Sequence, residues 1–438
     1  MLRFGAVVVV AALVIPWHTV VAQGPPSGDV TLTSDLFPSQ GNTAGARARV
    51  FAEQVVDPTP KLLITMSGFA EGLLARRRVA DEPGRRPAHD AILRVVEASV
   101  RYKAERFDLL AGFTRVSWGR LDELQPTDVI NPLDVSRFFF ESRSEARLPV
   151  GLVRARGYLS ETVSIEGIYV PFFRRGRFDQ LDEATSPFNI ESSFTSDAVV
   201  CLAIGCPTLL PIVVNRREPA ASVSHAQGGT RFNATTGRMD WSVSAYRGFE
   251  PFGFGTVGTL TPGAAFLPID VVYPRFTMVG GDFETVRGQW GIRGEVAASV
   301  DDNFQGPSPG IVKGKSIDAG LGVDRKAGVY RVSATALFHR EAYADMIRSA
   351  TGFDRGRSDI SLIVSGDRTF ARERHRIRTF GIYNPNESSG FLRAIAMTKI
   401  RDNIALEASL GWFAGEGRDL IGRFRDSDFL YARLKYYF

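Results

Sequence analysis

Arginines in this chain recur two residues apart, as Arg47 with Arg49 and Arg154 with Arg156. Arg101, Arg231, Arg293, Arg331, Arg393 and Arg433 stand in comparable alternating segments. A guanidinium group holds a carboxylate or phosphate through paired N–H donors, so a surface carrying these residues would favour anions. The same segments carry Glu53, Glu71, Glu97, Glu166, Glu295 and Glu407, and mutual neutralisation of the two sets is the competing reading. Charges are densest in residues 116–150, "VSWGRLDELQPTDVINPLDVSRFFFESRSEARLPV". There Asp122, Glu123, Asp128 and Asp134 mix with Arg120, Arg137, Arg143 and Arg147 around Pro126 and Pro132. Acids and bases opposed across a narrow passage create a transverse field that orders water and selects dipolar solutes.

Bond-making chemistry is not indicated. The chain has no His-Glu-x-x-His, no Gly-x-Ser-x-Gly and no phosphate-cradling glycine loop. Ser222, Ser224 and His225 are adjacent, but nothing else in the sequence builds a catalytic site around them. No enzyme activity, cofactor or metal site is expected. Cys201 and Cys206 are the only cysteines, and in an exported chain this spacing in "CLAIGCP" points to a disulfide that pinches a loop.

Export is indicated at the start of the chain. "MLRFGAVVVVAALVIPWHTVVAQ" has a basic Arg3, an apolar run and a small-residue cleavage pattern, so residues 1–22 read as a signal peptide. Residues 23–438 then form a single unit. No later run of about 18 apolar residues suggests a membrane-spanning helix. Segments of about ten residues alternate apolar and polar side chains instead, which is the pattern of a transmembrane β-barrel. The last residues, "LYARLKYYF", alternate in this way to the final residue, Phe438.

Short turns rich in Gly, Asp, Asn or Ser join segments into hairpins, such as 228–235 with 238–247 and 391–400 with 404–413. Longer connections are expected at 78–90, 119–147, 173–227, 249–274, 300–315, 341–358 and 415–427. Alternation of short and long connections matches a barrel with short periplasmic turns and long extracellular loops. The segments number seventeen, and a short strand at 30–36 makes the count even. The expectation is an all-β antiparallel barrel of about eighteen strands, with about sixteen as the fallback. Its apolar face would meet lipid, because a charge there costs roughly 2–4 kcal/mol near the midplane. The arginines must then face water inside. Tyr158, Tyr169, Trp290, Phe338, Trp412 and Tyr436, near strand ends, would form the interfacial girdles.

This pattern resembles bacterial outer-membrane porin-like β-barrels. A chain that ends on a strand with Tyr436 and Phe438 resembles outer-membrane proteins in carrying the signal read by the barrel-assembly machinery. The Trp-Gly pair followed by Asn-Pro-x-Asp within 116–150 is also similar to an uncharacterised porin-like family, over roughly residues 95–170. The resemblance implies outer-membrane lipid as surroundings and a monomer or homotrimer. In a barrel this wide one loop commonly folds into the lumen, which makes 116–150 the candidate constriction, with a plain solvated surface loop as the alternative. The candidate pore-lining residues are Arg120, Asp128, Asp134, Arg137, Arg154, Arg156, Arg231 and Arg293.

The reading that follows is a channel for passive diffusion of small, anionic solutes, with no role for nucleic acid. Two rivals stay open. An exporter of an anionic polysaccharide would need a wide, strongly basic bore with few inward acids, and a surface-binding or adhesion scaffold would use the 173–227 loop.

Overall fold

The computed structural model describes residues 26–40, 43–78, 91–135, 139–141, 143–177, 198–201, 207–210, 212–259, 266–306, 310–349, 352–416 and 419–438. The proposed signal peptide, Arg137 and Cys206 lie outside them. The disulfide expectation therefore also falls outside what the structure describes.

Eighteen strands form one antiparallel sheet that closes on itself. In chain order they are β1 (Ser27–Phe37), β2 (Thr43–Thr59), β3 (Leu62–Arg78), β4 (Ala91–Lys103), β5 (Phe107–Thr114) and β6 (Val150–Tyr158). They continue as β7 (Val163–Val170), β8 (Gln227–Thr236), β9 (Met239–Phe249), β10 (Arg275–Arg287), β11 (Trp290–Gln305) and β12 (Ile311–Ala327). The circuit ends with β13 (Tyr330–Ser349), β14 (Gly352–Phe370), β15 (His375–Asn384), β16 (Ser389–Arg401), β17 (Ile404–Ala414) and β18 (Phe429–Tyr437). Each strand pairs with its chain neighbours, and β1 pairs with β18 with Val30 opposite Tyr436 and Leu32 opposite Leu434. Gly28 and Phe438 exchange backbone hydrogen bonds of 3.0 and 3.1 Å at the seam. The alternating last residues thus close the cylinder.

The alternation sorts side chains by solvent. Leu32, Val100, Ile165, Val243, Val296, Leu321, Val364, Leu406 and Leu434, from strands all around the cylinder, are 42–55% exposed on its outside. A continuous apolar belt of this kind is stable against hydrocarbon and costly in water. The protein is a transmembrane barrel. Among the described residues no helix is long and apolar enough to cross a membrane. Tyr169, Trp290, Phe338, Trp412 and Tyr436 are exposed on the outer face, as girdle residues should be. Tyr158 is not among them, because it shares the inward face with Arg154 and Arg156 on β6.

One end of the barrel carries only tight connections, such as the turns at 237–238, 288–289 and 402–403. The other end is mixed. Its connections run from the two residues between Ser349 and Gly352 to the long stretch between Val170 and Gln227. Much of the expected loops at 300–315 and 341–358 is strand. β13 has 20 residues and β14 has 19. At roughly 3.3 Å per residue such strands outrun an apolar band of about 25 Å. Above the belt the ladder continues with polar side chains on both faces, so the apolar alternation that marks a strand disappears. Five short strands lie within the long connections at this end. Ile212–Arg217 runs parallel to Leu267–Val272, which pairs antiparallel with Phe254–Val257, and Ala198–Cys201 pairs with Pro207–Leu210.

Candidate functional site

The inward face is lined with ion pairs. Asp35 meets Arg47 at 3.1 Å, Glu166 meets Arg156 at 2.5 Å, and Asp282 meets Arg231 at 2.7 Å. Arg293 meets Glu284 at 2.9 Å and Asp324 at 3.0 Å. These pairs explain how so many arginines share one interior without mutual repulsion. A buried pair returns its desolvation cost only when both partners stay in place.

The connection from β5 to β6, residues 115–149, departs from the wall earlier than expected. β5 ends at Thr114, whereas the sequence pattern extends the strand to Trp118. Asn131 holds the two ends of this connection together. Its Oδ1 accepts from Val116 N at 2.8 Å, and its Nδ2 donates to Leu148 O at 2.8 Å and Thr114 O at 3.3 Å. Beside it, Leu148 N donates to Pro132 O at 2.7 Å. Asp134 N bonds Ala146 O at 2.7 Å, and its carboxylate meets Arg94 of β4 at 3.2 Å. The Asn-Pro-x-Asp segment is therefore the clasp of this connection.

From the clasp, one arm meets the wall of β7 to β11. Trp118 is 1% exposed, and its indole Nε1 donates to Glu166 of β7 at 2.8 Å. Its ring lies edge-on to Tyr246 of β9 at 6.2 Å. Gly119 follows with φ +91°, a conformation natural to glycine, and a Cβ there would strike the Glu295 carboxylate and Thr127 Oγ1. Glu295 of β11 accepts from the backbone N–H groups of Arg120, Leu121 (2.6 Å) and Thr127 (3.3 Å), and from Thr127 Oγ1 at 3.1 Å. Arg120 reaches Asp282 at 2.7 Å and Glu284 at 3.2 Å. Beyond it Leu121 rests against Gly320 of β12, where a Cβ would collide with it. Glu123 then meets Arg378 of β15 at 2.5 Å.

The other arm meets β16 to β18, β1 and β2. Phe139, 2% exposed, sits 5.1 Å from the rings of Phe391 and Phe413, edge-on to both. Phe140 packs against Phe429 and Tyr431. Arg393 of β16 donates to Phe140 O at 2.8 Å and Glu141 O at 3.1 Å. Arg433 of β18 grips the Glu141 carboxylate at 2.8 and 3.1 Å. Glu145 meets Arg49 of β2 at 3.3 Å. The neighbouring Glu141 carboxylate pushes Glu145 above the usual carboxylate range.

The expected lining residues fall into two groups. Arg154, Arg156, Arg231 and Arg293 face inward and are paired, and Arg120 bridges the connection to β10. Asp128 and Asp134 are buried at 8% and 1% exposure. Asp128 is tied to Arg147 and to Trp118 N within the connection, and Asp134 to Arg94 of β4, so these two acids help to hold its shape. The acids of the connection that reach arginines of the wall are Glu123 (to β15), Glu141 (to β18) and Glu145 (to β2), beside Asp122 and Asp134. The sequence pattern does not single out Glu141 and Glu145, because only the fold reveals which strand each one reaches.

Two cavities flank the connection. One of about 460 Å³ opens beside the short turn at 159–162 and is rich in hydroxyls, with Tyr158, Thr162, Ser164 and Thr235 around Arg156 and Arg231. The other, about 300 Å³, lies against β15 to β18 beneath Phe139.

The sequence profile of a family described as "Protein of unknown function (DUF1302)" matches residues 96–373. No curated protein was found to match the chain. Among solved structures, the chain is similar to OccK2 (OpdF) of Pseudomonas aeruginosa, at 8% identity and a TM-score of 0.49, over 94% of this chain and 97% of that one. It is similar to OccAB3 of Acinetobacter baumannii at 10% identity and a TM-score of 0.48, over 94% and 99%. It is also similar to OmpF of Salmonella typhi, solved in complex with daunomycin, at 9% identity and a TM-score of 0.43, over 94% and 97%.

Proposed function

This chain belongs to the DUF1302 family, and from that premise we propose that it is a porin-like channel of the bacterial outer membrane. Small solutes would diffuse through a bore narrowed by residues 115–149. One observation carries the reading: the same connection is bonded to β11 on one side, through Glu295, and to β18 on the other, through Arg433. A lid resting on the barrel mouth would not reach inward-facing side chains on opposite walls. Steric exclusion by such a segment sets a size limit, and the charges beside it bias what passes.

Two features support a free path past the segment. Inward Ser333 and Thr335 of β13 and Ser361 and Ser365 of β14 remain half-exposed. Side chains there are short, which leaves room for water and solute. A mild preference for anions follows from the cations that keep open faces, since the side chains of Arg376 and Arg378 are 46% and 36% exposed. The paired acids of the interior count against an exporter of anionic polysaccharide, which would need an unopposed basic bore.

Reconstitution of the purified protein into planar bilayers tests the proposal. Stepwise conductance with a reversal potential on the anion-selective side is expected in a salt gradient. Silent bilayers would contradict it and favour the surface scaffold.

A further inference from the structure

At the level of Ser333 and Ser365, the ring of inward side chains turns apolar where it reaches β15. Ser333 stands opposite Ser365, and Ser365 stands opposite Phe380. On the next strand, Ile395 and Met397 also point inward, opposite Arg378 and Arg376. All three apolar groups are half-buried and line the cavity of about 300 Å³. Apolar surface kept against water is costly, and Ser333 and Ser365, level with Phe380 on β13 and β14, carry no such cost. A purely diffusive bore has no use for the difference.

The cations around this apolar strip are placed on both sides. Arg376 and Arg378 border it on β15, and Lys435 of β18 lies on the same cavity from the other side. Their existing partners do not exhaust them. Arg376 uses Nε for Asp367 at 2.6 Å and Arg378 uses one Nη for Glu123 at 2.5 Å, of the five N–H donors each guanidinium has. Lys435 makes a long ion pair of 3.8 Å with Glu407. Glu123, Glu141, Glu145 and Glu407 share this lining with Arg376, Arg378, Arg393, Arg433 and Lys435, which leaves one cation in excess. An apolar floor with such a rim fits a molecule that has a compact apolar body and one carboxylate.

Resting on the channel reading for its access route, we infer that this cavity is a binding subsite for small aromatic carboxylates. The ring lies on Phe380, Ile395 and Met397, and the carboxylate turns towards Arg376, Arg378 and Lys435. A polyhydroxylated carboxylate lacks the body, and a neutral amide of the same shape lacks the charge. Either loss should weaken binding about tenfold, the effect of roughly 1.4 kcal/mol.

Titration calorimetry on the detergent-solubilised full chain, with sodium benzoate, sodium gluconate and benzamide as probes, separates the outcomes. Benzoate binding at least about tenfold tighter than either of the others is the expected result. Gluconate binding as tightly as benzoate would remove the apolar floor from the account, and benzamide binding as tightly would remove the cations. Absence of benzoate binding would overturn the subsite altogether. Met397→Gln and, independently, Lys435→Gln should each weaken benzoate binding several-fold. Unchanged affinity in both folded variants would place any site elsewhere and overturn the assignment. Because calorimetry needs no current, benzoate binding with silent bilayers would defeat the channel proposal while leaving the subsite standing.

Discussion

On the wall of β7 to β11, carboxylates accept from the 115–149 connection. Glu166 takes the Trp118 indole N–H, Glu295 takes three backbone N–H groups, and Asp282 takes Arg120. On the wall of β16 to β18 and β2 the polarity reverses. Arg393, Arg433 and Arg49 donate to the carbonyls and carboxylates of Phe140, Glu141 and Glu145. Arg293, which holds Asp122 at 2.8 Å, is the exception on the first side. A segment suspended between an acidic and a basic wall is held by both ends, and the two walls set a field across the space beside it. The two sides also use different kinds of anchor. The first combines backbone N–H donors with the Trp118 and Arg120 side chains. The second combines the Glu141 and Glu145 carboxylates and two backbone carbonyls with packed phenylalanine rings.

Substitutions on each wall probe that contrast. The largest effect is expected for Arg433→Gln, which leaves the Glu141 and Glu407 carboxylates without their shared, 7%-exposed cation. The expected loss is about 4 kcal/mol of local stability. Hydrogen exchange should speed up across 139–146 while 119–127 stays protected. Loss of protection in both arms together would mean that the anchors are not independent. Glu295→Gln is the converse. One carbonyl oxygen remains to accept, and the amide NH₂ opposes the Thr127 N–H, costing about 2 kcal/mol and releasing 119–127 first. Trp118→Phe keeps the ring against Tyr246 and deletes only the bond to Glu166, so about 1 kcal/mol is expected, readable as a small rise in exchange around residue 118.

The smallest effect lies outside both walls and is one of pH. Burial, with the nearby Asp302 carboxylate, pushes Glu250 from the usual 4.5 up to about 8. The folded chain therefore holds a proton that the unfolded chain releases, so stability from this group is complete below the unfolded value and is lost as pH rises towards 8. Glu250→Gln should flatten that decline, measured as thermal unfolding between pH 5 and pH 9. A wild-type midpoint that does not fall across this window would contradict the assignment.

How much of this is legible in the chain differs between wall and connection. The wall can be read closely. Period two alone puts Arg231, Glu295 and Arg433 on the inner face, because a lipid-facing charge is too costly to be an alternative. The terminal strand's role follows from its unbroken alternation. Legibility fails where the lipid constraint ends. Above the belt, β13 and β14 continue with polar residues on both faces, so Arg340 and Ser358, which bond at 2.6 Å, carry the pattern of a loop. The charge pattern of 116–150 marks a segment of interest, yet it does not reveal that Asp128 and Asp134 are buried against Arg147 and Arg94. Nothing local in the sequence distinguishes an acid that closes a clasp from one that crosses to Arg433. That distinction depends on contacts between residues nearly 300 positions apart.

Residues 115–149, in the function proposed above, narrow the bore while tied to both walls. Single-channel conductance reads this narrowing, compared between the wild-type protein and a variant in which 120–146, clasp included, is replaced by Gly-Ser-Gly and the strand ends at Thr114 and Val150 are retained. A severalfold larger conductance step with weakened anion preference is expected for the variant. An unchanged step and selectivity would contradict it.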